Sequence, residues 1–233
     1  MSHRRCRLPV TGTALAALLL TGCAEPAGPA GRPPGDGAQA DAQTRALPPV
    51  VDHVRTRDRV VFLTYDDGAE RHPRVTALIR DRRLPVTLFL TDTVAGPAYA
   101  DLARLRSVGA SLQNHTLDHR SLRGLPYAGQ RAEICGQQRK LRSRFGVRPH
   151  LFRPPHGRYD TTTLRAAADC GITAVVLWRV QVTGSGRGFT YTRGERRLHP
   201  GDIVSVTEPG RTEELLAEIE QRGLRVARLE DYL

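Results

Sequence analysis

Lysine is almost absent from this 233-residue chain: the sequence has 35 lysine and arginine residues, of which only Lys140 is a lysine, and its formal net charge is +11. The arginines are dispersed and do not form a run, a pattern typical of a solvated charged surface. A basic surface can attract anionic polymers. Charge is the only feature of the sequence that suggests nucleic acid, so we do not expect nucleic acid as a partner.

The N-terminus lacks an apolar run of the roughly 20 residues that a transmembrane helix needs. A basic region over residues 3–7 precedes the short apolar segment Ala14 to Leu20, which leads into Leu20-Thr21-Gly22-Cys23. This order predicts a secretory signal. It resembles a bacterial lipoprotein signal peptide with its lipobox, which implies removal of residues 1–22 and lipidation of Cys23. An ordinary signal peptide with a chance cysteine is the alternative.

A lipid anchor at Cys23 would hold the protein on the extracellular face of the cell membrane. Residues 23–50 are rich in Ala, Gly and Pro and have no apolar periodicity, so they are predicted to be a disordered tether. Residues 51–233 have a length suited to one α/β domain.

The chain has only four cysteines, and loss of Cys6 with the signal and lipidation of Cys23 would leave Cys135 and Cys170. Their spacing does not fit a zinc site. On two predicted helices in an oxidising exterior they are a possible disulfide, with two buried free thiols as the alternative.

From Val50 onward, strand-like and helix-like segments alternate, with no visible internal repeat. The predicted strands include Pro85 to Leu90 and Ile172 to Trp178, and the predicted helices include Pro126 to Phe145 and Thr212 to Gln221. Repeated strand-helix units of this spacing predict an α/β fold with a parallel sheet, open or closed into a barrel.

The stretch Arg59 to Gly68 ends a run of apolar and β-branched residues with two adjacent carboxylates, Asp66 and Asp67. The run predicts a buried strand, and α/β proteins place their chemistry at the carboxyl ends of such strands. The alternative is that Asp-Asp-Gly is only a turn, since these residues favour turns.

His115 and His119 are four residues apart and follow another predicted strand. On a helical turn both imidazoles would project from one face and converge on one ion. With Asp67 they would make a site of two imidazoles and a carboxylate, with positions open for water and substrate as in catalytic zinc sites. Asp118, between them, is predicted to be a solvated loop residue.

Three motifs together resemble the polysaccharide deacetylases, the NodB-homology domain of carbohydrate esterase family four. They are T-Y-D-D-G at 64–68, H-T-L-D-H at 115–119 and R-P-P-H-G at 153–157. The resemblance implies an irregular (β/α) barrel of about seven parallel strands in a single domain. It also implies removal of N-acetyl groups from N-acetylglucosamine polymers or of O-acetyl groups from xylan.

The resemblance carries roles to individual residues. Asp66 would be the general base and Arg153 the residue that tethers it, while a backbone N–H near His156 would help to stabilise the oxyanion. Asp67, His115 and His119 would bind a divalent metal, zinc in the first place, with cobalt, manganese or nickel as other possibilities.

Two positions depart from the family pattern. Thr207 stands where the family has a general-acid histidine, and Gln181 where it has the partner aspartate. Loss of a general acid costs on the order of 10² to 10⁴ in rate. Glu208 or His156 could donate the proton instead, or the substrate could be an ester, whose leaving group needs less help.

Two functions from different classes are therefore expected. The first is a surface-anchored, metal-dependent deacetylase acting on an N-acetylated (or O-acetylated) wall or extracellular polysaccharide, peptidoglycan included. The alternative is a catalytically weak or inactive relative that binds a glycan. An iron oxygenase with two histidines and one carboxylate is weaker, because the carboxylate comes first and is paired with a second one. Few aromatic residues lie near the predicted groove, so we expect few sugar-stacking positions.

Overall fold

The computed structural model describes residues 45–67, 72–184 and 188–233. The predicted signal peptide, most of the predicted tether and Cys23 lie outside these residues, as does Gly68 of the first motif. None of the helices in the described ranges combines the length and hydrophobicity needed to cross a membrane.

The described residues form ten strands and six α-helices. The strands are β1 (Val50–Val51), β2 (Val60–Asp66), β3 (Thr87–Leu90), β4 (Ser111–Asn114), β5 (Leu151–Phe152), β6 (Ala174–Val176), β7 (Val180–Val182), β8 (Phe189–Tyr191), β9 (Ile203–Val206) and β10 (Arg225–Val226). The helices are α1 (Pro73–Arg82), α2 (Asp92–Ala95), α3 (Tyr99–Ser107), α4 (Tyr127–Phe145), α5 (Thr161–Asp169) and α6 (Thr212–Gln221).

The ten strands form one curled, mostly parallel sheet, a half-barrel. The strand order is β1-β6-β5-β4-β3-β2-β9-β7-β8, and β10 pairs with β2. Within the described ranges the one antiparallel pair is β7 with β8. The predicted α/β single domain is confirmed, and the sheet has more strands than expected because several are only two or three residues long.

The central strand β2 is buried on both faces. Val61, Leu63 and Tyr65 pack in one hydrophobic cluster, while Val60 and Phe62 pack in another. Parallel strands covered on both sides have such nearly continuous apolar sequences. Burial of the whole strand fixes where it ends, and therefore where Asp66 lies.

The predicted strand Ile172 to Trp178 is in fact shorter. Strand β6 ends at Val176, and the chain then crosses to the other side of the sheet, where β7 pairs with β9. Arg179 lies just after this crossing: its buried guanidinium pairs with the buried carboxylate of Asp202 and donates to backbone carbonyls that include Arg197 O at 2.7 Å. Apolar periodicity does not report such a long-range ion pair.

The long helix α4 is joined covalently to the end of α5. Cys135 and Cys170 form a disulfide with a Cα–Cα distance of 5.0 Å. Helix α4 ends at Gly146, whose φ of 66° is the left-handed conformation that glycine adopts at a helix C-terminus. The disulfide therefore fixes the middle of α4, and the glycine cap ends it.

Candidate active site

The residues of the three motifs meet at the carboxyl ends of neighbouring parallel strands. Asp66 ends β2, His115 follows β4, and Arg153 follows β5. These strands are neighbours in the order β5-β4-β3-β2. Carboxyl ends of parallel strands lie at one edge, so the topology brings the motifs together.

Asp66 is held by an arginine inside the protein. Arg153 donates from Nη1 to Asp66 Oδ1 at 2.6 Å, and the side chain of Arg153 is fully buried while that of Asp66 is 22% exposed. The same guanidinium donates to the carbonyls of Val176 at 3.2 Å and Leu177 at 3.3 Å. Burial lowers the pKa of Arg153, and the Asp66 carboxylate opposes that shift. The result is a fixed ion pair with one face of the carboxylate open to solvent.

Two aromatic rings enclose this arginine. The guanidinium carbon of Arg153 lies 4.2 Å from the ring centre of Phe89 and 5.4 Å from that of Trp178. Rings at these distances stabilise a cation. They also restrict the side chain to the position from which it reaches Asp66.

Asp67 turns to a different partner. Its Oδ1 accepts from the Thr91 backbone N–H at 2.9 Å, and its Oδ2 accepts from the Thr91 hydroxyl at 2.6 Å. Thr91 directly follows β3, the strand beside β2. The two adjacent carboxylates are therefore separated in role: one is fixed by an arginine and the other by a threonine.

The two histidines approach each other through their Nε2 atoms, which are 3.1 Å apart. His115 Nδ1 lies 2.7 Å from the carbonyl oxygen of Arg153, so it carries the proton and leaves Nε2 with a lone pair. Burial lowers the pKa of His115, against nearby Asp66 and Asp67. Burial and the neighbouring His156 lower the pKa of His119. Neutral imidazole is the form that binds metals.

The segment from His115 to His119, called the His loop below, is not a helical turn. Thr116 has φ of 76° and His119 has φ of 56°, both in the left-handed region. The predicted helical geometry was therefore wrong, although the two rings do converge. Asn114 Oδ1 accepts the Thr116 N–H at 2.9 Å, a local side-chain bond that competes with helix formation.

A divalent metal fits the histidine pair. Zinc–nitrogen bonds of about 2.0–2.1 Å place two ligand nitrogens of a tetrahedral site roughly 3.3 Å apart, close to the observed Nε2 separation. In the described ranges, however, no three His, Cys, Asp or Glu side chains are grouped as a ready metal site. The carboxylate of Asp67 is engaged with Thr91 instead. The two histidines thus converge, while Asp67, whose charge still acts on His115, accepts two hydrogen bonds from Thr91.

His156 and Glu208, the two candidate proton donors, lie in different surroundings. The exposed His156 has its ring centre 4.8 Å from that of His119. Glu208 is at the other side of β2, where its Oε2 lies 3.0 Å from the position that a Cβ on Gly184 would take. No hydrogen bond or ion pair joins Glu208 to Asp66 or to His119 in the described part of the chain. His156 is therefore the candidate that lies beside the histidine pair.

The two positions that depart from the family pattern lie on adjacent strands. Gln181 of β7 is opposite Ser205 of β9, and the Thr207 hydroxyl donates to the Val182 carbonyl at 2.8 Å. Thr207 and Ser205 are two residues apart, so their side chains point to the same face of the sheet. The places of the missing acid and its partner are thus neighbours.

Sequence reasoning missed Thr91, Phe89 and Glu133. Thr91 and Phe89 lie at the end of the predicted strand Pro85 to Leu90, and a polar residue directly after a buried strand was a usable signal for Thr91. Glu133 lies on α4, and its carboxylate accepts hydrogen bonds from the backbone N–H groups of Leu117 and Asp118. No local pattern marks a carboxylate inside a helix as a loop acceptor.

Comparison with known proteins gives a consistent result. The family model described as polysaccharide deacetylase matches residues 53–175. Uncharacterized protein SCO4760 of Streptomyces coelicolor is 68% identical over 99% of this chain and 100% of its own length. Peptidoglycan-N-acetylmuramic acid deacetylase PdaA of Bacillus subtilis is 21% identical over 76% of this chain and 73% of its own.

The fold is also similar to a solved structure. A mutant of Bacillus anthracis BA3943, described as a CE4 family pseudoenzyme with restored enzymatic activity, has a TM-score of 0.68 and 21% identity, covering 80% of this chain and 72% of its own. At this identity the likeness concerns the fold alone.

Proposed function

Because this chain belongs to the polysaccharide deacetylase family, we propose that it is a metal-dependent deacetylase acting on a cell-wall or extracellular polysaccharide. The reaction is hydrolysis of N-acetyl (or O-acetyl) groups. The observation that carries the proposal is the 2.6 Å bond from Arg153 to Asp66 at the strand edge where the two histidine Nε2 atoms converge.

Asp66 is the general base in this proposal. One of its oxygens accepts from Arg153, and the other accepts no hydrogen bond from the described residues, which leaves it to take a proton from water. A base must lie within hydrogen-bond reach of the proton it removes, and the partial exposure of Asp66 permits this. The guanidinium fixes the position of the carboxylate.

His115 and His119 would hold the metal through Nε2, with Asp67 as the third ligand. Each carboxylate oxygen has two lone pairs, so Asp67 could contact the ion while it still accepts from Thr91. A bound zinc, cobalt, manganese or nickel ion would polarise the acetyl carbonyl and lower the pKa of water. The Arg153 carbonyl keeps the His115 proton on Nδ1, so Nε2 remains the ligand atom.

The leaving amine needs a proton, and His156 is the proposed donor. Its exposed ring lies beside His119, at the edge of the site that a polymer would approach. The Thr207 hydroxyl is bonded to Val182 and is a poor acid. Glu208 is the second candidate donor, but its carboxylate lies near Gly184 and Gly210.

The proposed substrate is an N-acetylated polysaccharide, peptidoglycan included. The name of the Bacillus subtilis relative, a peptidoglycan-N-acetylmuramic acid deacetylase, supports this class. Half-buried Trp178 beside the Asp66–Arg153 pair offers one sugar-stacking surface. A lipid anchor at Cys23 is part of the proposal, and places the protein on the extracellular face of the membrane, beside such a polymer.

The second candidate function is glycan binding with weak or no catalysis. The observation that favours it is that Thr207 and Gln181 replace the family's acid and its partner on adjacent strands. A binding protein has no use for the Asp66 carboxylate as a base, whereas an enzyme requires it.

The two functions separate in one assay. Acetate release would be measured from N-acetylglucosamine oligomers and from peptidoglycan, with protein from about residue 45 and with zinc, cobalt or manganese added. Metal-dependent release that Asp66→Asn abolishes is the expected result. Release that never exceeds the Asp66→Asn background, in protein that binds metal and glycan, would instead support the binding function.

A further inference from the structure

Four consecutive amide groups of the His loop donate to side chains and not to the backbone. The acceptors are Asn114 Oδ1 for Thr116 (2.9 Å), Glu133 Oε2 for both Leu117 and Asp118 (3.1 Å each), and Thr116 Oγ1 for His119 (3.2 Å). Backbone groups without partners are costly when buried, so these acceptors decide the path of the loop.

Glu133 differs from the other two acceptors because it comes from a distant element. Asn114 and Thr116 lie next to or within the loop, whereas Glu133 lies on α4 and is 6% exposed. A single carboxylate oxygen of Glu133 receives both N–H groups, which are in the middle of the loop. Charge-assisted bonds of this kind are stronger than neutral ones.

Helix α4 also packs closely against the His loop at Gly136, a helix residue without a side chain. A Cβ atom at Gly136 would lie 2.4 Å from Leu117 Cδ1, so only glycine allows the helix and this side chain to approach so closely. Asn114 adds a bond in the other direction, from Nδ2 to the Ile134 carbonyl at 2.9 Å. The helix therefore contacts the His loop, or the strand β4 that leads into it, through Glu133, Ile134 and Gly136.

The loop needs this support because its backbone is strained. Thr116 and His119 are not glycine, yet both have φ in the left-handed region. Such residues persist only where the surroundings over-determine them. The left-handed backbone at His119 goes with the position in which its Nε2 lies 3.1 Å from that of His115.

We propose that Glu133 is a positioning residue for the histidine pair: its carboxylate, together with the open face of Gly136, fixes the His loop so that His119 meets His115. The inference rests on the proposed function in so far as these histidines are the proposed metal ligands. The hydrogen bonds that hold the loop are made by protein side chains.

The test compares Glu133→Ala with Glu133→Gln in the folded domain. The glutamine oxygen can accept both N–H groups, while alanine leaves them without an acceptor. We expect Glu133→Ala to weaken cobalt binding by about 10- to 100-fold, followed by the absorption of the bound ion. Hydrogen exchange at the Leu117 and Asp118 amides should be at least about tenfold faster. Glu133→Gln should restore most of both properties.

Gln130→Ala is the matched control. Gln130 is another buried polar residue of α4, but its side chain contacts Leu125, Asp160 and Thr163 and not the His loop. The Gln130→Ala substitution should reduce the stability of the protein without changing its cobalt affinity or amide hydrogen exchange at Leu117. If Glu133→Ala does not fold, Gly136→Ala replaces it, because the added methyl group displaces Leu117.

Each outcome bears on one proposal. A folded Glu133→Ala protein with wild-type exchange at Leu117 and Asp118 would overturn the positioning role, and so would a Glu133→Gln protein as impaired as Glu133→Ala. Wild-type protein that binds no cobalt would refute the proposed metal-dependent function. The amide exchange would still decide the role of Glu133 in that case.

Discussion

The buried Arg153 donates to Oδ1 of Asp66 at 2.6 Å across 87 positions of sequence. The carboxylate is thereby fixed on one side and open on the other. Removing Asp66 should therefore have different consequences from removing Arg153. Only Asp66 has an oxygen that faces the open edge of the site.

Asp66→Asn is expected to abolish catalysis while the protein stays folded. The asparagine oxygen can still accept from Arg153, but an amide does not take a proton from water. Acetate release should fall by about 10² to 10⁴, measured with metal at saturation. The urea midpoint should fall as well, because the buried Arg153 guanidinium loses its counter-charge. Asp118→Asn is the control, since Asp118 is exposed on the His loop. An Asp66→Asn protein with wild-type turnover would exclude Asp66 as the base.

Restoring the acid pair should increase activity. In the double variant Gln181→Asp, Thr207→His, a carboxylate and an imidazole would stand on adjacent strands that already pair. Because a positioned acid contributes on the order of 10² to 10⁴ in rate, turnover on N-acetylated oligomers should rise well above wild type. The two single variants are controls and should gain little. A folded double variant no faster than wild type would show that amine protonation does not limit the rate.

The pH dependence of stability should reflect Asp160. Partial burial opposes ionisation, but the N–H groups of Gly124 and Thr163, helped by the side chains of Gln130 and Thr163, outweigh it and lower the pKa of Asp160 from 3.8 to about 2. A lowered folded-state pKa stabilises the protein above the unfolded value. That stability is present above about pH 4 and is lost as the pH falls through about 2.

The measurement is the free energy of unfolding of wild type and Asp160→Asn at several pH values. The difference between them should be largest near neutral pH and should shrink between pH 4 and pH 2, the window set by the two pKa values. A difference that stays constant with pH would contradict the role of the Asp160 charge.

The disulfide should contribute to stability through the unfolded state. Cys135 and Cys170 are 35 positions apart, and a cross-link closing a loop of that length is worth about 4 kcal/mol in the chain-entropy treatment. The double variant Cys135→Ser, Cys170→Ser should therefore have a lower urea midpoint than wild type. Wild type in reducing agent should behave like the variant. Equal midpoints in oxidised and reduced protein would mean that the bond adds no stability.

The proposed anchor at Cys23 predicts the location of the protein. In a bacterium that processes lipoproteins, the wild-type chain should fractionate with membranes and incorporate labelled fatty acid. Cys23→Ser should be released or retain its signal, and should take up no label. Cys6→Ser serves as control, because Cys6 lies within the predicted signal peptide. Labelling that survives Cys23→Ser would refute the anchor.

The sequence by itself determined the α/β class, the main strands and helices and the residues at the strand ends, but not the short strands β1, β7 and β8. The short β-branched and aromatic run Val60 to Tyr65 predicted a strand buried on both faces, as observed. Helix α6 was predicted with the bounds observed, because its apolar period and its ends are local properties. The meeting of Asp66 with the residues after β4 and β5 followed from the parallel arrangement alone.

The tertiary structure decided how the site residues are held. The spacing of His115 and His119 suggested a helical turn, but the acceptors Asn114 and Glu133 hold a strained loop instead. The hydrogen bonds from Thr91 to Asp67 and the ion pair of Arg179 with Asp202 likewise join residues that are far apart in the sequence. Local sequence patterns record which face of an element is apolar. They do not record which distant side chain satisfies a buried polar group, and that long-range pairing determines the geometry of this site.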